Sequence, residues 1–363
     1  MPLRPVTLDA SILGKSLPWN LYTVTGVLVA SAGLTLTDKE QLAKLTARPL
    51  FRQSAGDNDD ANLGQRLLLQ MESFPYTCKA AGTSQFESAI RGHARELIAL
   101  ARVDHDASIG LLRLLPMADP AARHCLLTAI VALDMAEQML APDDPRIDAI
   151  ICAALTMNIA AMRLHSDLTE RRTFIDSEQR DSISRHPQDS LKLLEVSGVQ
   201  DRDWLTAVGQ HHENLDGSGY PNGLRGEDIC LAARIIRIAD FYTAKIRGRR
   251  YRPAISAQAA FKHIFGDERA RLDNHLALIL LRRLGLYPPG TLIRLASKEI
   301  AVVMRKQGSG ETPGKVIAFL SPNHRLLKEP AERNTAQIGY AFLNTAEIEP
   351  DWPEIDWKIY WGY

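Results

Sequence analysis

The chain has 363 residues, 45% of them hydrophobic and 24% charged, with 43 basic side chains balanced by 43 acidic ones. That length exceeds one compact core of ordinary size, so two or three structural units are expected. The even charge gives no whole-chain pull toward nucleic acid or an anionic membrane surface, and the ordinary composition excludes long disorder.

Residues 1–55 alternate short β-type runs with turn signals: Val6 to Leu8, Leu21 to Val24, Gly26 to Ala30 and Gly33 to Leu36. Thr37-Asp38-Lys39-Glu40 reads as a helix start, with Thr37 as cap and Glu40 closing a capping box. A small β-rich N-terminal module with one helix is therefore predicted. The opening MPLRPVTLDASILGK has neither the charge nor the apolar run of a secretory signal. Gln53 to Gly64 is polar and rich in turn residues, and residues 56–94 read as a linker followed by a connecting helix.

From about Ser84 to Gly285 the pattern is helical: Phe86, Ile90, Ala94, Leu97, Leu100 and Val103 recur at spacings of three and four, and similar stripes run through Ile109 to Leu115 and Cys125 to Leu140. Pro116, Pro120, Pro142, Pro145, Pro187 and Pro221 are expected to mark helix ends. Cys78, Cys125, Cys152 and Cys230 stand far apart with no CxxC pair, and three of them read as buried thiols of a reducing compartment. The most apolar segment, Ala149 to Met162, falls short of the roughly 18–20 residues that a bilayer span needs, so a cytoplasmic protein is expected. After Pro288-Pro289-Gly290 the period changes, and Leu292 to Leu295, Glu299 to Met304 and Lys315 to Leu320 predict a small sheet. The closing DWPEIDWKIYWGY holds three of the five tryptophans and is expected to dock on its own domain or on a partner.

One stretch is hard to explain by folding alone. His211 and His212 are followed by Asp216-Gly217-Ser218-Gly219-Tyr220-Pro221, a tight loop, and then by Asp240 within the apolar helix AARIIRIADFYTA. A carboxylate there needs a metal, an arginine or several donors. His186 precedes Pro187, and His124 heads the apolar run HCLLTAIVALDMAEQ. Taken singly, each histidine reads more readily as a capped or core residue, because none has spacing of the HExxH kind. Together, four histidines and an aspartate have the makeup of a transition-metal site with nitrogen and oxygen ligands. The run Lys245 to Arg252 adds five positive charges in eight residues.

The stretch from His211 through Gly219-Tyr220-Pro221 to Asp240, continued by Arg249-Arg250-Tyr251-Arg252 and closed by Leu284 to Gly290, resembles the HD-GYP domain of bacterial cyclic di-GMP phosphodiesterases. The resemblance covers most of residues 95–320. It implies a mainly α protein: an HD-superfamily helical domain at 95–290, preceded by the β-rich module and followed by a β-rich C-terminal extension, 291–363, with the aromatic tail. It also implies two or three metal ions, often iron or manganese, held by an early histidine, a His-Asp doublet, a histidine before proline, a His-His pair and a final aspartate. Water activated there attacks the phosphodiester.

Carried over residue by residue, these ligands are His124, His186, His211, His212 and Asp240. The doublet falls on Met157 and Asn158, and a lysine expected nearby on Ala161. A thioether is a poor ligand for a hard site, and an amide lacks the charge that holds two cations together. His165 and Asp167 would lie about 12 Å further along a continuous helix, too far to substitute. The resemblance therefore implies no full di- or trinuclear centre, but a single metal on His186, His211 and His212. Cyclic di-GMP is an expected ligand, with Gly219, Tyr220 and Pro221 shaping the pocket, Arg249 and Arg252 forking onto phosphate, and Tyr220 or Tyr251 stacking on a base. A diguanylate cyclase domain is an expected kind of partner. The expected role is a degenerate sensing or partner-binding module with little or no hydrolysis; the alternative is an active metal-dependent phosphodiesterase working through a reduced metal site.

Overall fold

A computed structural model describes residues 3–6, 8, 12–17, 19–23, 28–31, 33–46, 50–53, 62–170, 177–247, 254–306 and 312–363. It is mainly α, with a small sheet at either end of the helical part, as the sequence predicts.

The first sheet combines β1 (Leu3–Val6), β2 (Leu21–Tyr22), β3 (Leu28–Ala30) and β4 (Leu50–Gln53) in the order β1-β4-β2-β3, all antiparallel. Strand β4 is not foreseen, and the Gly33 to Leu36 run contributes only an isolated bridge between Ser16 and Thr35. The helix α1 (Lys39–Thr46) starts one residue later than expected. The Asp38 carboxylate accepts the Gln41 N–H at 2.8 Å, while the Gln41 side chain reaches back to the Thr37 N–H, so Asp38 is the cap. Most of the expected linker, 54–61, lies outside the described residues; Asn62 then caps α2 (Leu63–Lys79) in a box with Gln65.

The helical core is built around α5 (Pro120–Met139). Every residue from Ala121 to Ala136 except Arg123 is buried, which is what an all-round apolar helix demands. Packed against it are α4 (His105–Leu114), α6 (Arg146–Thr156), α10 (Leu231–Arg247) and α12 (Asn274–Leu284). Helix α2 joins the same core through Leu67 and Phe74, facing Ile90 and Leu97 of α3 (Phe86–Val103). Beyond α6 the backbone breaks at Met157 and Asn158, makes a 3-10 turn over Ile159–Ala161, and resumes as α7 (Met162–Glu170). The run Arg146–Asp167 is long and apolar enough to cross a membrane by length and composition, longer than the segment singled out from sequence, yet 78% of its most apolar window is buried inside this core. Most of the prolines expected at helix ends lie there or in loops, but Pro187 sits inside α8 (Ser177–Val196).

The remaining elements are α9 (Arg202–Gln210), α11 (Ala257–Phe265) and the strands β5 (Leu292–Leu295), β6 (Ile300–Val302), β7 (Lys315–Leu320), β8 (Leu326–Asn334) and β9 (Phe342–Ala346), paired antiparallel in the order β8-β7-β6-β5-β9. The aromatic tail docks on its own chain. Trp361 donates to the Met304 carbonyl at 3.1 Å and lies so close over Gly110 of α4 that a Cβ there would meet its ring at 2.3 Å. Trp352 and Trp357 pack edge-on against Phe319.

A buried histidine, His93, and a partly buried one, His105, make stability depend on pH in opposite senses. His93 of α3 is enclosed with Thr77 at 2.9 Å, and burial pushes its pKa down to about 4. At His105 burial acts the same way, but Asp106 and Asp134 outweigh it and hold the imidazole up at about 9. The His105 Nε2 lies 2.9 Å from an Asp134 carboxylate that is 1% exposed and also faces Arg283 at 2.7 Å; its alignment is that of an ion pair rather than a hydrogen bond. The depressed His93 stabilises the fold above the ordinary histidine value of 6.5, and that contribution is lost as pH falls through about 4. The raised His105 contributes fully below 6.5, and its contribution is lost as pH rises through about 9. Each is worth about 3 kcal/mol at most. Urea unfolding from pH 4 to 10 is expected to show greatest stability near neutrality, and His105→Gln to flatten the alkaline limb alone. A variant whose alkaline limb matches the native chain refutes the assignment.

Candidate metal centre

Three imidazoles converge from two helices, and backbone carbonyls set their orientation. Pro187 has no N–H to give the carbonyl four residues back, Ile183, and the His186 Nδ1–H takes that acceptor instead. His211 ends α9, where the last carbonyls have no helical partner, and its Nδ1–H donates to Val208 at 2.7 Å. A carbonyl only accepts, so both Nδ1 atoms carry the proton and both Nε2 atoms present lone pairs. The two Nε2 atoms are 3.1 Å apart.

No proton is available to join them at neutral pH. Burial lowers the pKa of His186; burial and the neighbouring His186 lower His211 to about 3; burial and His211 hold His212 well below the ordinary value. Two facing lone pairs at 3.1 Å repel unless a cation lies against them. The His212 ring lies 4.3 Å from His211, centre to centre, and is stacked under Tyr220 at 4.8 Å. One nitrogen from each of His186, His211 and His212 falls within 4.8 Å of the others. This donor set fits one transition-metal ion.

His124 and Asp240 do not join that group. They pair with each other across α5 and α10, Nε2 to Oδ1 at 2.7 Å. Burial pushes the Asp240 carboxyl up, but the His124 bond and the nearby His212 and Arg237 outweigh it and hold the group well below the ordinary range. The five sequence-predicted ligands thus form a trio and a pair.

The doublet positions lie in the core at the break after α6. Met157 is fully buried, and Asn158 is 2% exposed with its Oδ1 lacking any hydrogen-bond partner. The same amide reaches the thiol of Cys125, next to His124. An orphaned carbonyl oxygen is an acceptor that water or a cation satisfies, but it brings no negative charge to bridge two ions. Ala161 carries no amine. The roughly 12 Å expected for His165 assumed a continuous helix; the helix is broken after Thr156, and the His165 ring lies edge-on to His186 at 5.7 Å.

The loop after the pair holds itself rigid. Glu213, 2% exposed, accepts from Asn222 N at 2.7 Å and Leu224 N at 3.0 Å, and a Cβ at Gly219 would meet Asn214 N at 2.3 Å. Sequence reasoning missed Glu213, although an acid directly after two histidines was its signal. It also missed Arg237, which donates to Asn214 at 3.1 Å and stands three residues before Asp240 on the same helix face. Arg249, Tyr251 and Arg252 lie outside the described residues.

The HD-domain family profile matches residues 110–276. The cyclic di-GMP phosphodiesterase PA4108 of Pseudomonas aeruginosa is 26% identical over 277 residues, covering 72% of this chain and 65% of its own length. The cyclic di-GMP phosphodiesterase PdeB of Borreliella burgdorferi is 25% identical over 182 residues, 50% of this chain and 47% of its own. The chain therefore spans less than two thirds of the length of either relative. Among solved structures, Bd1817, an HDG"Y"P protein from Bdellovibrio bacteriovorus, superposes with a TM-score of 0.53 at 13% identity, covering 76% of this chain and 98% of its own; that likeness is one of fold.

Proposed function

We propose that this chain, which belongs to the HD-GYP family, acts in cyclic di-GMP signalling as a nucleotide-sensing or partner-binding module with little or no hydrolysis. The observation that carries this reading is the doublet: a thioether and a neutral amide stand where a ligand imidazole and a bridging carboxylate are needed. The three neutral imidazoles hold a single iron or manganese ion, which when bound supplies Lewis acidity toward water or a phosphoryl oxygen. Tyr220 is fixed over His212 beside the Gly219 turn, so it offers a ring face to a base at the edge of that centre. Asp240 stays ionised and bonded to His124, which keeps negative charge near the site to balance a cation.

Under this reading residues 95–290 carry the site in the cytoplasm, the 1–55 module receives the signal, and a signalling protein such as a diguanylate cyclase domain is the partner. The second reading, a phosphodiesterase working through a reduced metal site, is favoured by the same converging lone pairs, since one cation suffices to activate water. Iron- or manganese-loaded protein assayed against cyclic di-GMP separates the two. The expected result is about one metal per chain, measurable nucleotide binding and no linear product. Turnover that disappears in His211→Ala or His212→Ala would install the second reading.

A further inference from the structure

Away from the histidines, a cleft of about 400 Å³ opens between α4, α5, the end of α10 and the C-terminal sheet, and three arginines, Arg113, Arg123 and Arg247, line it. Its volume lies within the range of small-molecule sites. The sole acidic residue among its lining is Glu347.

Arg113 and Arg123 are held by neutral acceptors. Arg113 bonds through Nη1 to the carbonyls of Pro288 and Pro289 and to the Thr291 hydroxyl, at 3.1, 2.6 and 3.1 Å. Arg123 bonds through Nη2 to the Leu115 carbonyl. Neither has a carboxylate partner among the described residues, and burial pushes the pKa of both below the ordinary arginine value. Desolvated guanidinium groups opposed only by carbonyls leave positive charge uncompensated, and their planar forks match phosphate. By contrast, Arg66, Arg91, Arg283 and Arg333 each face a carboxylate. Arg123 precedes His124, but neighbours on a helix diverge by about 100°, so Arg123 faces the cleft from a different side of α5 than the one on which His124 pairs with Asp240.

We propose that this cleft binds a small phosphate-bearing ligand at a site separate from the histidine cluster. Arg113 and Arg123 take the phosphate oxygens, and Leu112, Leu127 and Leu292 form the wall against which an organic portion packs. Glu347 opposes binding.

Calorimetric titration of the chelated full chain tests this with inorganic pyrophosphate and with a nucleoside diphosphate as probes. Both are expected to bind; tighter diphosphate binding assigns the organic part to the apolar wall, and equal affinity assigns recognition to phosphate alone. Arg123→Gln is expected to weaken pyrophosphate binding about 10-fold or more, since a hydrogen bond to a charged group is lost. Glu347→Gln is expected to strengthen it about 3-fold, a gain that misfolding does not produce. No binding at millimolar probe, unchanged affinity in Arg123→Gln, or loss of binding in His211→Ala/His212→Ala overturns the proposal; the last result would place the phosphate at the metal centre.

Discussion

Changing Met157→His and Asn158→Asp together is expected to raise the metal content of the purified chain from about one ion toward two and to bring out cyclic di-GMP hydrolysis. Both positions are enclosed at the break between α6 and the 3-10 turn, and Asn158 already places an unsatisfied oxygen there. The substitutions change charge and donor type at positions already enclosed beside the site. The new carboxylate has no cation waiting for it in metal-free protein, so the chelated variant is expected to lose about 3 kcal/mol of stability, as a buried charge without its partner does. Metal then restores the loss by binding the folded state alone, and the recovery grows with its concentration. Urea unfolding with and without manganese, elemental analysis and a product assay read the three effects separately. If metal content stays near one and no product forms, the missing doublet is not the main lesion, and Ala161, where a lysine is expected, becomes the next position to change.

What the sequence made legible follows from how locally each feature is encoded. The histidine pair, the glycine-tyrosine loop and Asp240 are contiguous enough to read as one motif, and the structure does bring His186 to the pair. The pairing of His124 with Asp240 is a contact between residues 116 apart and needed the packing of α5 on α10 to appear. Strand β8 escaped because its LLKEPAERN is mostly polar and exposed, leaving no apolar alternation to detect, and β9 is half-exposed in the same way. The distance expected for His165 assumed a continuous helix, whereas the backbone turns at Met157 and Asn158 and the 3-10 segment bonds to α8 through Ala160 N and Ser190 Oγ at 3.2 Å. The arginine cleft draws on α4, α5, α10 and the C-terminal sheet and has no linear signature.

Pro187 is the misreading with the largest consequence. Pro187 was expected to mark a helix end, with His186 at a helix start, yet α8 begins at Ser177 and continues for nine residues beyond the proline. The freed Ile183 carbonyl is what fixes the His186 tautomer, so a local loss in the helix is converted into orientation at the metal centre. Pro187→Ala is therefore expected to move two measurements in opposite directions. Restoring the N–H lets it compete for Ile183, and chelated protein is expected to gain about 2 kcal/mol, within the roughly 3 kcal/mol by which proline disfavours a helix interior. With the carbonyl drawn back into the helix, His186 loses the acceptor that held its Nε2 lone pair toward His211, and metal affinity is expected to fall about 10-fold to 100-fold, the usual effect of losing a ligand's supporting hydrogen bond. Competition against a metal indicator gives the affinity, and urea unfolding under chelator gives the stability. A variant that gains stability and keeps its affinity would show that His186 is oriented by the surrounding packing and that the carbonyl contact is incidental.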